Sequence, residues 1–274
     1  MNNTQGTSDW LKLRLGKITG SAVGNLMTKG RKKDEIFGQT ALSYIYSVAS
    51  ERNLLQAYID DDYLWEIYQN QISVNNKFTQ WGHENEPLAV EMYESMTGRV
   101  CEEVGSISHP HIPNFAASPD RLTTDNGNKI VCEVKSPLPK TFMKYKSEIK
   151  DNASLLAVEP MYFYQVQAEM MVTGCKEADF VCFCPFLKNP LHIVRITADE
   201  DAQKEIEATF DTTTLIARKT SPITKQATPE TIEYQEITVN DTTTTQIEIS
   251  ETKIERTITE QPKIKDNSVS EANP

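Results

Sequence analysis

Apolar and polar positions through the first 218 residues switch repeatedly between a spacing near 3.6 and strict alternation, so helices and strands are expected in turn. Trp10 to Leu15 and Ser21 to Met27 read as short helices joined by a Gly-Lys-Ile-Thr-Gly turn; Gln39 to Asn53 and Asp61 to Gln69 read as aromatic-rich helices. Leu88, Met92 and Met96 recur every four residues over Glu86 to Thr97, and Gly98 follows, which predicts an amphipathic helix with a glycine stop. Phe115 to Thr123 and Lys129 to Lys135 alternate as strands around Asp125-Asn126-Gly127-Asn128, a hairpin signal because Asn and Gly both tolerate positive φ. Pro160 opens a helix through Val172 closed by Gly174; strands follow at Asp179 to Pro185 and His192 to Ile196. Thr197-Ala198-Asp199-Glu200 offers a capping box for a last helix to Arg218. This order implies an α/β (α+β) domain, a central mixed β-sheet flanked by helices.

The pattern stops near Arg218. From Lys219 to Pro274 there is no glycine and Tyr234 is the only aromatic residue, while Thr, Glu, Ile and Lys recur. Alternations at Thr238-Val239 and Gln246-Ile247-Glu248-Ile249 have no evident partner, and such a segment buries too little to offset its ordering entropy. Residues 1–218 are therefore expected to form one domain and residues 219–274 an acidic, disordered tail.

At 274 residues, 38% hydrophobic and 24% charged, the chain is neither a disulfide-stapled mini-protein nor a collagen. Its longest apolar run, Phe180 to Leu187, is far short of the ~18 residues of a membrane span. The amino terminus carries no secretion pattern, and five cysteines scattered through apolar segments fit reduced thiols, so a cytoplasmic protein is expected. The net charge of −11 argues against a protein that coats nucleic acid, but the charge is unevenly placed. Residues 1–33 carry seven Lys and Arg against Asp9 alone, and Lys140, Lys144, Lys146 and Lys150 form a second basic run opposed only by Glu148. Two cationic patches on an acidic body suit either solvated faces or a local phosphate-lined groove.

Candidate chemistry centres on the hairpin. Ser118-Pro119-Asp120 lies on its first strand and Glu133-Val134-Lys135 on its second, where Glu133 and Lys135 share one face and Val134 the other. Two acids and an amine at one end of a hairpin repel unless something offsets the acids, and a divalent cation does so. Asp120, Glu133 and the Val134 carbonyl supply hard oxygen donors suited to Mg²⁺, with Mn²⁺ as a substitute. Taken alone, an ordinary surface ion pair explains these residues equally well. Upstream, Trp81-Gly82-His83-Glu84-Asn85-Glu86-Pro87 places Glu86 in the first turn of its expected helix, within reach of a second metal. Downstream, Gln165 and Glu169 are four apart and share a helix face.

The succession WLKLRLGKITGS, WGHENEP, AASPDRL, CEVKSP and YFYQVQAEM, spread over residues 8 to 210, resembles the phage lambda exonuclease and YqaJ-type viral recombinase family of PD-(D/E)XK nucleases. The resemblance implies a restriction-endonuclease-like core in which Asp120, Glu133 and Glu86 bind metal, Lys135 and Gln165 complete the catalytic set, and Arg14, Ser21 and Ser118 hold a 5′-terminal phosphate. It implies a Mg²⁺-dependent exodeoxyribonuclease of phage recombination that digests duplex DNA from the 5′ end. It further implies a ring-shaped homotrimer and a single-strand annealing protein as partner. Arg121 departs from the lambda-type pattern, which has Gly after Pro-Asp. Two other readings stay open: an endonuclease, restriction-like or a junction resolvase, and a noncatalytic DNA-end-binding or assembly protein. An iron–sulfur nuclease requires four clustered thiolates, and Cys175, Cys182 and Cys184 lack that spacing.

Overall fold

A computed structural model describes residues 4–30, 36–72, 77–220, 233–239 and 242–248. The chain divides into two compact units, residues 1–222 and 223–274.

The first unit opens with α1 (Ser8–Arg14), capped by Thr7, whose hydroxyl accepts the Trp10 N–H at 3.3 Å. The expected turn after it contains a short strand, β1 (Ile18–Thr19), which leads directly into α2 (Gly20–Leu26). There follow α3 (Gln39–Arg52), α4 (Gln56–Asp60), which carries too short an apolar pattern to be read in sequence, and α5 (Asp62–Ile72). The next helix, α6 (Lys77–Thr97), begins nine residues earlier than expected. Pro87 therefore lies inside it rather than at its start; the carbonyl that loses its donor belongs to His83, which is exposed to water. The buried stripe is also different: Ala89, Val90 and Tyr93 face the core, whereas Leu88 and Met96 are 51% and 66% exposed.

Short strands β2 (Glu102–Glu103) and β3 (Ile107–Ser108) precede a second correction. The strand expected from Phe115 to Thr123 is two, β4 (Phe115–Ala117) and β5 (Arg121–Asp125), in different sheets. Ser118-Pro119-Asp120 is the crossing between them, where Pro119 cannot donate to a ladder. The hairpin of β5 with β6 (Asn128–Lys135) is as expected: Asn126 and Gly127 have φ of 49° and 83°, and Asp125 pairs with Asn128. Next come α7 (Pro139–Glu148), α8 (Asn152–Val158) and α9 (Pro160–Thr173), the last closed by Gly174 at φ 73°. Strands β7 (Glu177–Phe183) and β8 (Leu191–Thr197) and helix α10 (Glu200–Thr220) complete the unit. Thr197 ends β8, so Asp199 caps α10 in its place, accepting the N–H groups of Asp201 at 3.1 Å and Ala202 at 3.0 Å.

The five-stranded sheet runs β2-β5-β6-β7-β8, with β6 and β7 parallel and every other pair antiparallel. The smaller sheet, β1-β4-β3, has β1 parallel to β4. One face of the large sheet packs Val131, Phe180 and Ile196 on Phe163, Val166 and Met170 of α9; the other packs Cys132, Val134 and Val181 on α6. The far side of α9, through Ala168 and Val172, joins the small sheet to α2, α3 and α10. Helix α9 is thus buried almost all round and carries Gln165, Gln167 and Glu169 into the interior.

In the second unit, β9 (Glu233–Val239) and β10 (Thr242–Glu248) pair antiparallel, Val239 opposite Thr242 and Glu233 opposite Glu248. The alternations read as unpartnered in sequence therefore have partners: Thr238 and Val239 pair with Thr243 and Thr242, and Gln246, Ile247 and Glu248 with Gln235, Tyr234 and Glu233, while Ile249 lies outside the described residues. The disorder expected for the rest of the tail falls outside the described residues.

Candidate active site

The pleat of β6 sends Glu133 and Lys135 towards α9 and Val134 towards α6. Glu133 is 1% exposed, and its Oε1 accepts from Lys135 Nζ at 2.5 Å and from Gln165 Nε2 at 2.5 Å. The same Gln165 amide donates to Glu169 Oε1 at 2.9 Å, so one glutamine bridges two buried acids. Lys135 also lies 4.8 Å from the centre of the Tyr162 ring. Asp120, at the end of the crossing segment, accepts the Val134 N–H at 2.8 Å, which ties it to β6.

These residues stand at a cavity of about 450 Å³ lined by Glu86, Asp120, Val134 and Lys135, with Trp81 and Tyr162 among its walls. Glu133 and Gln165 lie behind that wall. Glu86 reaches the cavity, but from the middle of α6 rather than the first turn, so the helix N-terminus does not stabilise its charge. Arg121 does: its Nη1 is 2.8 Å from Glu86 Oε1 and also bonds the Asp120 carbonyl. The departure from the lambda-type pattern thus has a definite place, as the partner of Glu86.

Burial, then the Asp120 charge, push the Glu133 carboxyl up to about 7 despite Lys135. The same two causes raise Glu86, and burial followed by the Glu133 charge raises Glu169 well above the carboxylate range. Burial works against the Lys135 ammonium, but Glu133 and Asp120 outweigh it and hold it above its ordinary value. The site is therefore short of positive charge. Among the described residues no donor group bonds the buried Glu133 Oε2 or Glu169 Oε2, which fits a cation bound beside them. Among the described residues no group of three or more His, Cys, Asp or Glu forms a ready-made cage. Asp120 and Val134 line the cavity and Glu133 adjoins Val134 on β6; carboxylate and carbonyl oxygens are donors of the kind on which Mg²⁺ keeps several waters.

A second cluster forms where α1, α2 and the crossing segment meet. Arg14 donates from Nη1 to Ser118 Oγ at 3.0 Å and from Nη2 to Ser21 Oγ at 3.2 Å, so the three residues singled out in sequence converge. Trp10, which sequence reasoning placed in a motif without a role, stacks on the Arg14 guanidinium at 4.1 Å and donates to Ser118 Oγ at 3.2 Å. Gln5, which carried no signal, donates to the Pro119 carbonyl at 2.9 Å. Gly16 holds the turn after Arg14 at φ 68°, with its N–H on Glu51 Oε2 at 2.7 Å and its carbonyl on Arg52 Nε at 2.7 Å. Among the described residues no carboxylate pairs with Arg14, and a fork backed by two hydroxyls suits an anion.

No described helix is long and apolar enough to cross a membrane. No curated protein matches the sequence. Among solved structures, the chain is similar to an alkaline exonuclease (LHK-Exo) from Laribacter hongkongensis, with 28% identity and a TM-score of 0.62 over 78% of this chain and 93% of that one. The same enzyme in complex with dAMP matches equally. A phage-related exonuclease from Haemophilus somnus 129PT shares the fold at 16% identity and a TM-score of 0.52, over 74% of this chain and 96% of that one. Residues 9–176 match the model of the YqaJ-like viral recombinase domain, and the chain belongs to that family.

Proposed function

We propose that the protein is a Mg²⁺-dependent exodeoxyribonuclease that removes nucleotides from the 5′ end of duplex DNA and leaves a 3′ strand for annealing. The observation that carries this reading is the crossing segment: Ser118 belongs to the Arg14 anion pocket and Asp120 to the cavity, only two residues away. The Cα atoms of Ser118 and Asp120 are therefore at most ~7 Å apart, which lets one strand end reach from the Arg14 cluster to the cavity. Similarity to an alkaline exonuclease and to its dAMP complex supports the exonuclease part of this reading.

Arg14, Ser21 and Ser118 bind the 5′-terminal phosphate and fix which bond reaches the cavity. Asp120, Glu133 and the Val134 carbonyl hold Mg²⁺, with Mn²⁺ as a substitute. The chemistry a bound divalent cation supplies there is a lowered water pKa and charge stabilisation at the phosphate. Lys135, cationic under all physiological conditions, offers its ammonium to charge building on the phosphate oxygens. Gln165 keeps Glu133 oriented. Glu86 joins the metal set only by exchanging its bond to Arg121. A homotrimeric ring and an annealing protein as partner belong to this reading by family resemblance, and a cytoplasmic location by the scattered cysteines that fit reduced thiols.

The test is digestion of an end-labelled linear duplex, with and without a 5′ phosphate, in Mg²⁺ and in chelator. Mononucleotides released from the 5′ side only in Mg²⁺ are expected. Cutting of closed circles would favour an endonuclease, and end binding without digestion would favour the noncatalytic reading.

A further inference from the structure

The loop between β7 and β8 carries Phe186, whose side chain is one of the most exposed large apolar groups of the first unit at 66%. The loop is a pinned turn: Cys184 N–H bonds the Pro190 carbonyl at 2.8 Å and Leu187 N–H the Cys184 carbonyl at 3.2 Å. Phe186 stacks on Trp81, with ring centres 5.2 Å apart and planes 22° from parallel. Trp81 is itself a wall of the cavity, and its indole N–H donates to the Ser136 carbonyl at 2.9 Å, one residue beyond Lys135. An aromatic pair is thus fixed to the catalytic strand on one side and open to water on the other.

An exposed ring costs solvation free energy unless something covers it. The surroundings indicate what does. Leu138, 46% exposed, lines the same cavity at the start of α7, and Lys140 and Lys144 stand exposed on that helix. Apolar rings beside ammonium groups at the mouth of a phosphate site match a nucleotide, whose base stacks while its backbone meets the lysines. A protein partner of apolar character would not need the lysines.

Given the nuclease reading above, on which this rests, we infer that Phe186 and Trp81 form a stacking platform for a base within the first two nucleotides of the strand being cut. The platform positions the strand and takes no part in bond breaking. It is indifferent to sequence, because every base presents a π face.

Trp81 is partly buried, so Phe186 is the residue to change. Binding of a fluorescent 5′-phosphorylated duplex is measured in chelator for the unchanged protein, Phe186→Ala and Phe186→Tyr. Duplexes carrying an abasic nucleotide at the first or at the second position are compared with the intact one. Phe186→Ala is expected to bind the intact duplex about five- to 100-fold more weakly, with Phe186→Tyr close to unchanged. On one of the two abasic duplexes the alanine variant should lose nothing further. Equal losses on all three duplexes, or no loss, would overturn the platform while leaving the nuclease reading intact. Failure of the unchanged protein to bind duplex ends would overturn both.

Discussion

Ser118 and Asp120 are separated by one proline and serve two different neighbourhoods: Ser118 Oγ accepts from Arg14 at 3.0 Å, while Asp120 accepts the Val134 N–H at 2.8 Å. The segment between them is where the small sheet passes into the large one. The position of Ser118 relative to Asp120 is therefore set by the backbone path between the two sheets.

End recognition follows from this arrangement. In Arg14→Gln the fork to Ser118 and Ser21 is lost, and with it a charge-assisted contact worth ~1.5–3 kcal/mol. The ratio of digestion rates for 5′-phosphorylated over 5′-hydroxyl duplex should fall about tenfold or more, chiefly through the phosphorylated substrate. A ratio equal to that of the unchanged protein would remove Arg14 from the pocket.

Asp179 makes a separate prediction about stability. It is 1% exposed on β7 and binds Tyr93 at 2.5 Å, Arg99 at 2.7 Å and Arg195 at 2.6 Å, while both arginines also hold Asp125. Removing the central acid takes away the acceptor of the Tyr93 hydroxyl and one partner of each arginine, leaving Asp125 on both and Glu177 on Arg195. Asp179→Ala should lower unfolding stability by about 1–3 kcal/mol, read as a drop in the urea midpoint at pH 7. A change within experimental error would mean that the network contributes nothing net.

Stability should also weaken in mild acid through His192. Burial lowers its pKa, helped by Lys150 and Lys146, and outweighs the opposing bond of Nε2 to the Ile149 carbonyl at 3.0 Å. The folded state thus prefers the neutral ring while the unfolded chain takes a proton near pH 6.5. This contribution is complete above about pH 6.5 and is lost as pH falls below it. Urea titrations at pH 8 and pH 5.5 should show a smaller pH loss for His192→Gln than for the unchanged protein; equal losses would exclude the ring as a source.

What the sequence disclosed were features fixed locally. Strand alternation placed Glu133 and Lys135 on one face, Asn126-Gly127 marked the hairpin, and Gln165 and Glu169 shared a face because a helix turns every 3.6 residues. The start of α6 was hidden because Pro87 is also a favoured first-turn residue, and Leu88 and Met96 drew the apolar stripe to the wrong side. The break at Ser118-Pro119-Asp120 is marked in the sequence only by Pro119, and that its two halves pair in different sheets is a long-range property that no short-range pattern reports. The Arg99, Asp125, Asp179 and Arg195 network joins elements far apart in the chain, where no short-range pattern reports contact. Arg121 was visible as a departure, but its bond to Glu86 required the third dimension.

The most direct measurement is digestion of a 5′-phosphorylated linear duplex in Mg²⁺ by Asp120→Asn, with end binding and the unfolding midpoint followed alongside. The substitution keeps an oxygen for the Val134 N–H and removes only the charge. Digestion is expected to fall at least about 100-fold while the folded protein still binds duplex ends. Digestion at the rate of the unchanged protein would contradict the assignment of Asp120, and with it the metal-dependent site at this cavity.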